Sequence, residues 1–204
     1  MELGRISVTI RIWAASFLLA LAIACPAHAQ QISLRCDPAQ SKADWNLSDP
    51  LHTVKGEFKL KQCELHYDPS SGKASGEIVF DATTGQSGNH VRDHKMHNSV
   101  LESEKYPEIR FRPDHVEGPV NASGESKLQV HGVFSIHGGD HDITLPVTLN
   151  LGPAQWSASS QFSVPYVQWG MKNPSVLFLH VGDNVAIAFQ AAGSVVSGVS
   201  GSSR

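Results

Sequence analysis

At 204 residues, with 16 basic against 19 acidic side chains, the chain carries a formal charge of −3, a balance that excludes a cationic nucleic-acid-binding surface. Apolar residues make up 41% of it, enough for one domain of ordinary size to bury a core without staples. The N-terminus carries Arg5 and Arg11, an apolar run over residues 12–24 and the small-residue pattern Ala27-His28-Ala29 before Gln30. This is the three-part pattern of a secretory signal, so residues 1–29 are read as a signal peptide and the mature chain is expected to start near Gln30.

A membrane anchor is the weaker reading, because the apolar run is shorter than the roughly 20 residues a spanning helix needs. Cys25 as a lipoprotein acceptor is the lesser alternative to ordinary cleavage, since Ala22-Ile23-Ala24 lacks the usual leucine. Removing residues 1–29 takes away two arginines and one glutamate and leaves 14 basic and 18 acidic side chains, a charge near −4. No other stretch is long and apolar enough to cross a bilayer, so no transmembrane span is expected in the mature chain, and its compartment is periplasmic or secreted. In an oxidising compartment Cys36 and Cys63 are either a disulfide or two separate buried thiols, since sequence gives no distance between them.

From there the chain alternates apolar and polar side chains in run after run, and a period of two means that each strand buries one face. Strands are expected over residues 54–60, 63–67, 74–82, 108–115, 128–136, 143–151, 156–164, 175–181 and 185–191. The clearest run is Ile143, Leu145, Val147, Leu149 and Leu151 with Thr144, Pro146, Thr148 and Asn150 between them. His137-Gly138-Gly139-Asp140-His141-Asp142 supplies the turn before it, so residues 128–136 and 143–151 should be antiparallel neighbours. Pro146 cannot donate to a ladder and is expected at an edge-like or bulged position. One helix is expected in the charged run from residue 89, ending before Tyr106-Pro107, where proline forces the chain into the extended run from Glu108.

Eight or nine strands, short turns and a single helix predict a mainly β, antiparallel barrel or sandwich. The predicted domain covers residues 30–191. Residues 192–204, mostly Gly, Ser and Val, are expected to form a disordered tail.

Three groups of residues together resemble one family. His52-Thr53-Val54-Lys55-Gly56-Glu57-Phe58 is similar to its early strand. Arg92-Asp93, a helix, Lys105-Tyr106-Pro107 and Ile109-Arg110-Phe111 are similar to its central segment. The run from Val130 to Gly138, followed by Leu145-Pro146-Val147-Thr148-Leu149, is similar to its next hairpin. On these residues the chain resembles the YceI-like family of periplasmic lipid-binding proteins. The resemblance implies a lipocalin-like β-barrel of about eight strands with one short helix, and an isoprenoid or other apolar lipid as partner.

The inward alternating faces place Phe58, Phe80, Ile109, Phe111, Leu128, Val130, Phe134, Ile136, Leu145 and Val147 where they either line a cavity or fill the interior, and the resemblance favours a cavity. Tyr166, Trp169 and Met171 fall in the segment 164–174, whose Gly170 and two prolines break regular structure. As a loop at the barrel mouth it covers a lipid tail while Lys172 or Gln168 meets a head group; alternatively Tyr166 and Trp169 plug the barrel end. His90, His94 and His97 at i, i+4 and i+7 invite a zinc reading and, with Asp93, a metal-dependent hydrolase.

Against that reading, the helix is polar on most sides and the sequence holds no Gly-x-Ser-x-Gly, phosphate loop, His-Glu-x-x-His or Cys-x-x-Cys. The sequence therefore reads as a binding protein with no catalytic residues, metal or cofactor, alone or as a homodimer. A filled barrel acting as an interaction module is the remaining alternative.

Overall fold

The computed structural model describes residues 31–48, 53–175 and 180–197. The strands are β1 (Ile32–Cys36), β2 (Lys42–Ser48), β3 (Thr53–Asp68), β4 (Lys73–Gln86), β5 (Glu108–Glu117), β6 (Gly124–Ile136), β7 (Gly139–Leu151), β8 (Gln155–Val164) and β9 (Val185–Ser197), with helix α1 (His90–Lys95) between β4 and β5. Neighbours run antiparallel in the order β3-β2-β9-β8-β7-β6-β5-β4, and β4 pairs back onto β3 to close a ring of eight. Closure satisfies the backbone groups that an open sheet would leave at its edges. β1 shares one position of the ring with β2. Both lie between β3 and β9, β1 against Tyr67 to Glu64 and Ser197 to Gly193, β2 against Lys59 to Thr53 and Gln190 to Ala186.

The predicted strands at 54–60 and 63–67 are one strand. Register shifts near Glu57 and Leu60 reset the alternation, which made one bulged strand read as two. The strand expected at 175–181 is not borne out at Ser175, His180 and Val181, which lie outside any strand, and residues 176–179 lie outside the described residues. The expected end of the domain at residue 191 falls inside β9. Gly193 to Ser197 are held there by pairing with β1, so a tail beginning at 192 starts too early. The predicted signal peptide and residues 198–204 lie outside the described residues.

The hairpin of β6 and β7 is paired as expected, through Ile136 and Gly139. Its turn is the two residues His137 and Gly138, with φ of 52° and 76°. Two positive-φ residues in a row match the right-handed twist of a hairpin, which favours glycine at the second. Cys36 and Cys63 form a disulfide, with Cα atoms 5.3 Å apart, that ties β1 to β3. In the chain-entropy model closing that loop contributes about 3.5 kcal/mol.

α1 starts where Asn89 accepts hydrogen bonds from the N–H groups of Val91 and Arg92, both at 3.1 Å. It is shorter than the sequence pattern predicts. A π turn over Met96–Val100 follows Lys95, and Glu102, at φ 46°, turns the chain back toward β5. Within the π turn one ring nitrogen of His97 donates to the Gly85 carbonyl and the other meets Ser103 Oγ, each at 2.8 Å, which ties this segment to β4 and to the chain beyond it. The extended run does begin after Pro107.

Candidate functional site

The inward faces of the ring enclose a cavity of about 760 Å³, within the roughly 300–1,000 Å³ typical of sites for drug-sized ligands. Phe58, Phe80, Ile109, Phe111, Val130, Phe134, Ile136, Leu145, Val147, Tyr166 and Met171 all line it. Period two explains why so many fall together, because residues i and i+2 of every strand face the same side. Leu128 and Trp169 do not line it. Leu128 is buried but packs near Gly118, while the Trp169 indole stacks on His141 at 3.9 Å and 5°.

The lining also includes residues that the sequence reading did not single out. Trp45 comes from β2, an unrecognised strand, and Trp156, Phe162, Ile187 and Phe189 come from runs recognised as strands but not followed inward. Their alternation, Trp156-Ala158-Ser160-Phe162-Val164 and Val185-Ile187-Phe189, was the available signal. Phe80 and Phe189 meet edge to face across the lumen, with ring centroids 5.8 Å apart.

The connection after β4 roofs one end. Met96, Val100 and Leu101 all line the cavity, and a Cβ added to Gly85 would fall 2.5 Å from the Phe58 ring and 2.8 Å from Met96 Cε, so only glycine leaves room there. This roof is fastened by a hydrogen bond between the only two non-glycine residues with positive φ among the described residues. His137 Nε2 and Glu102 Oε2 lie 2.7 Å apart, and the Tyr106 ring packs on His137 at 4.8 Å. Left-handed backbone at such residues costs on the order of 1–3 kcal/mol each, and the pair shows what holds it in place.

Between β7 and β8 the wall has a seam. β7 pairs with β8 only over Val147 to Leu151, so Gly139 to Pro146 are paired with β6 alone and Gln161 to Val164 with β9 alone. Pro146 stands where the ladder stops, the edge-like position expected for a residue without an N–H. Ser160 Oγ donates to the Pro146 carbonyl at 2.7 Å. Above that point Trp169 stacks on His141 of β7 and lies 5.8 Å from the Phe134 ring of β6, and Phe134 in turn contacts Phe162 of β8 at 6.0 Å.

The loop that carries Trp169 is well tethered. Tyr166 Oη donates to the Gly182 carbonyl at 2.8 Å, Asn173 Nδ2 to the Val181 carbonyl at 2.9 Å and to Asp183 at 2.7 Å, and Lys95 Nζ to the Pro174 carbonyl at 2.6 Å. Burial, helped by the Asp183 charge, pushes the Tyr166 hydroxyl up to about 12. Tyr166 and Met171 thus line the cavity while Trp169 packs beside it on His141 and Phe134.

Polar lining is sparse. Asn89, Arg92 and Lys95 line the cavity from α1, on the same connection as the Met96–Leu101 roof, and Val91, also in the lining and 82% exposed, marks a mouth beside that roof where the cavity meets solvent. Lys172 and Gln168, expected to meet a head group, are exposed and do not line the cavity. Arg92 and Asp93 anchor the helix through Ser87 instead of pairing directly. Arg92 Nε donates to Ser87 Oγ at 2.7 Å and Arg92 Nη2 to its carbonyl at 3.1 Å, while Asp93 accepts from Ser87 N at 2.9 Å and from Ser87 Oγ.

The three histidines of the zinc reading do not converge. His97 is committed to Gly85 and Ser103, His94 meets Asn98, and among the described residues no three His, Cys, Asp or Glu side chains are grouped to hold a metal.

A closed antiparallel barrel around an apolar cavity, with one helix beside its mouth, defines the lipocalin-like class. The YceI-like domain matches residues 34–192, and the chain belongs to that family. Three solved structures share the fold at low identity. Burkholderia cenocepacia BcnA is 17% identical with a TM-score of 0.64, over 78% of this chain and 99% of its own. A polyisoprenoid-binding domain from Saccharophagus degradans, implicated in plant cell wall breakdown, is 13% identical with a TM-score of 0.62, over 80% and 98%. The Campylobacter jejuni YceI protein is 17% identical with a TM-score of 0.52, over 71% and 86%. No curated protein matches the chain.

Proposed function

We propose that this protein is a periplasmic or secreted carrier that holds an isoprenoid or another long-chain amphiphile inside its barrel without changing it chemically. The observation that carries the reading is a cavity of about 760 Å³ whose polar lining is nearly confined to one mouth. A hydrocarbon tail asks for such a lining and little else, since burial contributes about 0.8 kcal/mol per CH₂. A fifteen-carbon chain would gain roughly 12 kcal/mol before the cost of association, which is of similar size. The Saccharophagus degradans neighbour, a polyisoprenoid-binding domain, supports the same class of ligand.

The test is native mass spectrometry of the protein purified from its secretory compartment, followed by organic extraction. A stoichiometric apolar mass that leaves on extraction is the expected result, and Phe111→Ala or Phe134→Ala should reduce its occupancy. A protein that remains ligand-free after incubation with isoprenoid alcohols and quinones would refute the carrier reading.

A further inference from the structure

We infer that the mouth selects a ligand with an anionic head group, a carboxylate or a phosphate, through Arg92 and Lys95; the inference rests on the lipid-carrier reading above. Among the described residues the charged side chains lining the cavity are Arg92, Lys95 and Arg110, and no carboxylate lines it. Arg110 is neutralised by Glu77 at 3.2 Å and by Glu108. Arg92 and Lys95 have no carboxylate within 4 Å among the described residues. Asp93 reaches Arg92 only through Ser87, and Asp183, at the same end, is occupied by Asn173.

Both cations are held in position before any ligand arrives. Arg92 spends Nε and Nη2 on Ser87 and keeps Nη1 for a partner. Lys95 spends one of the three ammonium donors on the Pro174 carbonyl. Neither side chain therefore has to be ordered when a head group docks, which removes a usual cost of binding. Val91, exposed on the same rim, offers apolar contact to the first carbons below the head group.

The surroundings sharpen the choice. The chain is acidic, so its distant charges do not attract an anion, but at physiological ionic strength they are screened beyond roughly 8 Å. The two local cations then dominate. A cationic amphiphile is disfavoured and a neutral alcohol obtains only ordinary hydrogen bonds.

The experiment compares hexadecanoate with 1-hexadecanol and farnesyl phosphate with farnesol, below their micelle concentrations. Binding is followed by fluorescence of Trp45 and Trp156 on the cavity wall, which reports tail entry whatever the head group. Two solvent-exposed charge contacts together should give about a tenfold preference for each acid over its alcohol. Arg92→Gln with Lys95→Gln should bring that ratio close to one, Arg92→Lys with Lys95→Arg should retain most of it, and raising the salt should shrink it.

Preference for farnesyl phosphate alone would identify a phosphate site, and preference for both acids a general anion site. Equal affinities for acid and alcohol in the unaltered protein, or a ratio that survives the double glutamine variant, would overturn the inference while leaving the carrier intact. Binding of none of the four probes would sink the carrier reading and this inference with it.

Discussion

Ala158→Phe tests whether the barrel encloses usable space. Ala158 faces the cavity on β8 between Trp156 and Ser160, and its backbone is paired with Leu149 and Ala191. A phenyl ring adds about six carbons at that point. In an interior already filled by side chains such an insertion costs about 1–3 kcal/mol in strain. In a cavity of about 760 Å³ the ring is accommodated, and its burial contributes about 1.5–3 kcal/mol instead. For a domain of this size 1 kcal/mol moves Tm by about 2–4 °C, so delipidated Ala158→Phe protein should melt about 3–12 °C higher. The same ring takes room from about six methylenes of a ligand, worth about 5 kcal/mol, or more than a thousandfold in affinity. Thermal unfolding and a titration with farnesol read the two effects. A lower Tm with unaltered farnesol binding would refute the reasoning, because only a filled interior penalises the ring.

Three further outcomes follow from other parts of the molecule. Cys36→Ala with Cys63→Ala should lower unfolding stability by about 3.5 kcal/mol in urea titrations, and an unchanged midpoint would mean that pairing of β1 with β3 and β9 suffices without the cross-link. Trp169→Ala should cost about 1–2 kcal/mol for a half-buried indole and accelerate amide exchange at residues 139–145 beside the seam; protection equal to that of the rest of β7 would show that the indole does not shield this stretch. The hydrogen bond that His131 Nδ1 donates to the Asp114 carboxylate, at 2.7 Å, raises the pKa of His131, so this pair stabilises the fold fully below about pH 6.5 and loses that contribution as pH rises through the folded pKa. The Tm difference between the native protein and Asp114→Asn should accordingly be larger at pH 6 than at pH 9, and a difference independent of pH would exclude the pair as its source.

What was legible in the sequence is whatever depends on near neighbours. Ile143 to Leu151 announces a strand because each side chain faces the opposite side from the next, and the lining follows from the same alternation. Pro146 was readable as an interruption because it lacks an N–H wherever it sits. The misreadings involve distant partners. Residues 192–197 are too small and polar to predict order, yet β1 supplies the hydrogen bonds that hold Gly193 to Ser197 in place. Likewise the π turn after Lys95 is tied through His97 to Gly85, twelve residues back along the chain, a contact that helix periodicity does not encode. Trp169, expected either to cover a lipid tail or to plug the barrel end, instead stacks on His141, a partner that becomes available only where the pairing of β7 with β8 stops.

The cavity itself argues for an occupant on energetic grounds. An apolar lining that faces water gives up the roughly 25 cal/mol per Å² that burial contributes, and a hydrocarbon tail in a cavity of about 760 Å³ would restore it. An interior free to collapse would recover part of that loss. This wall is held apart by eight strands hydrogen-bonded into a ring, by the disulfide between β1 and β3, and by the roof fastened through His137 and Glu102. Much of the packing that a folded chain normally takes from its own side chains is therefore left for a ligand to supply. Loading should therefore raise Tm in proportion to the logarithm of ligand concentration over Kd, and a Tm that does not move with added isoprenoid alcohol would show that the cavity takes none of it.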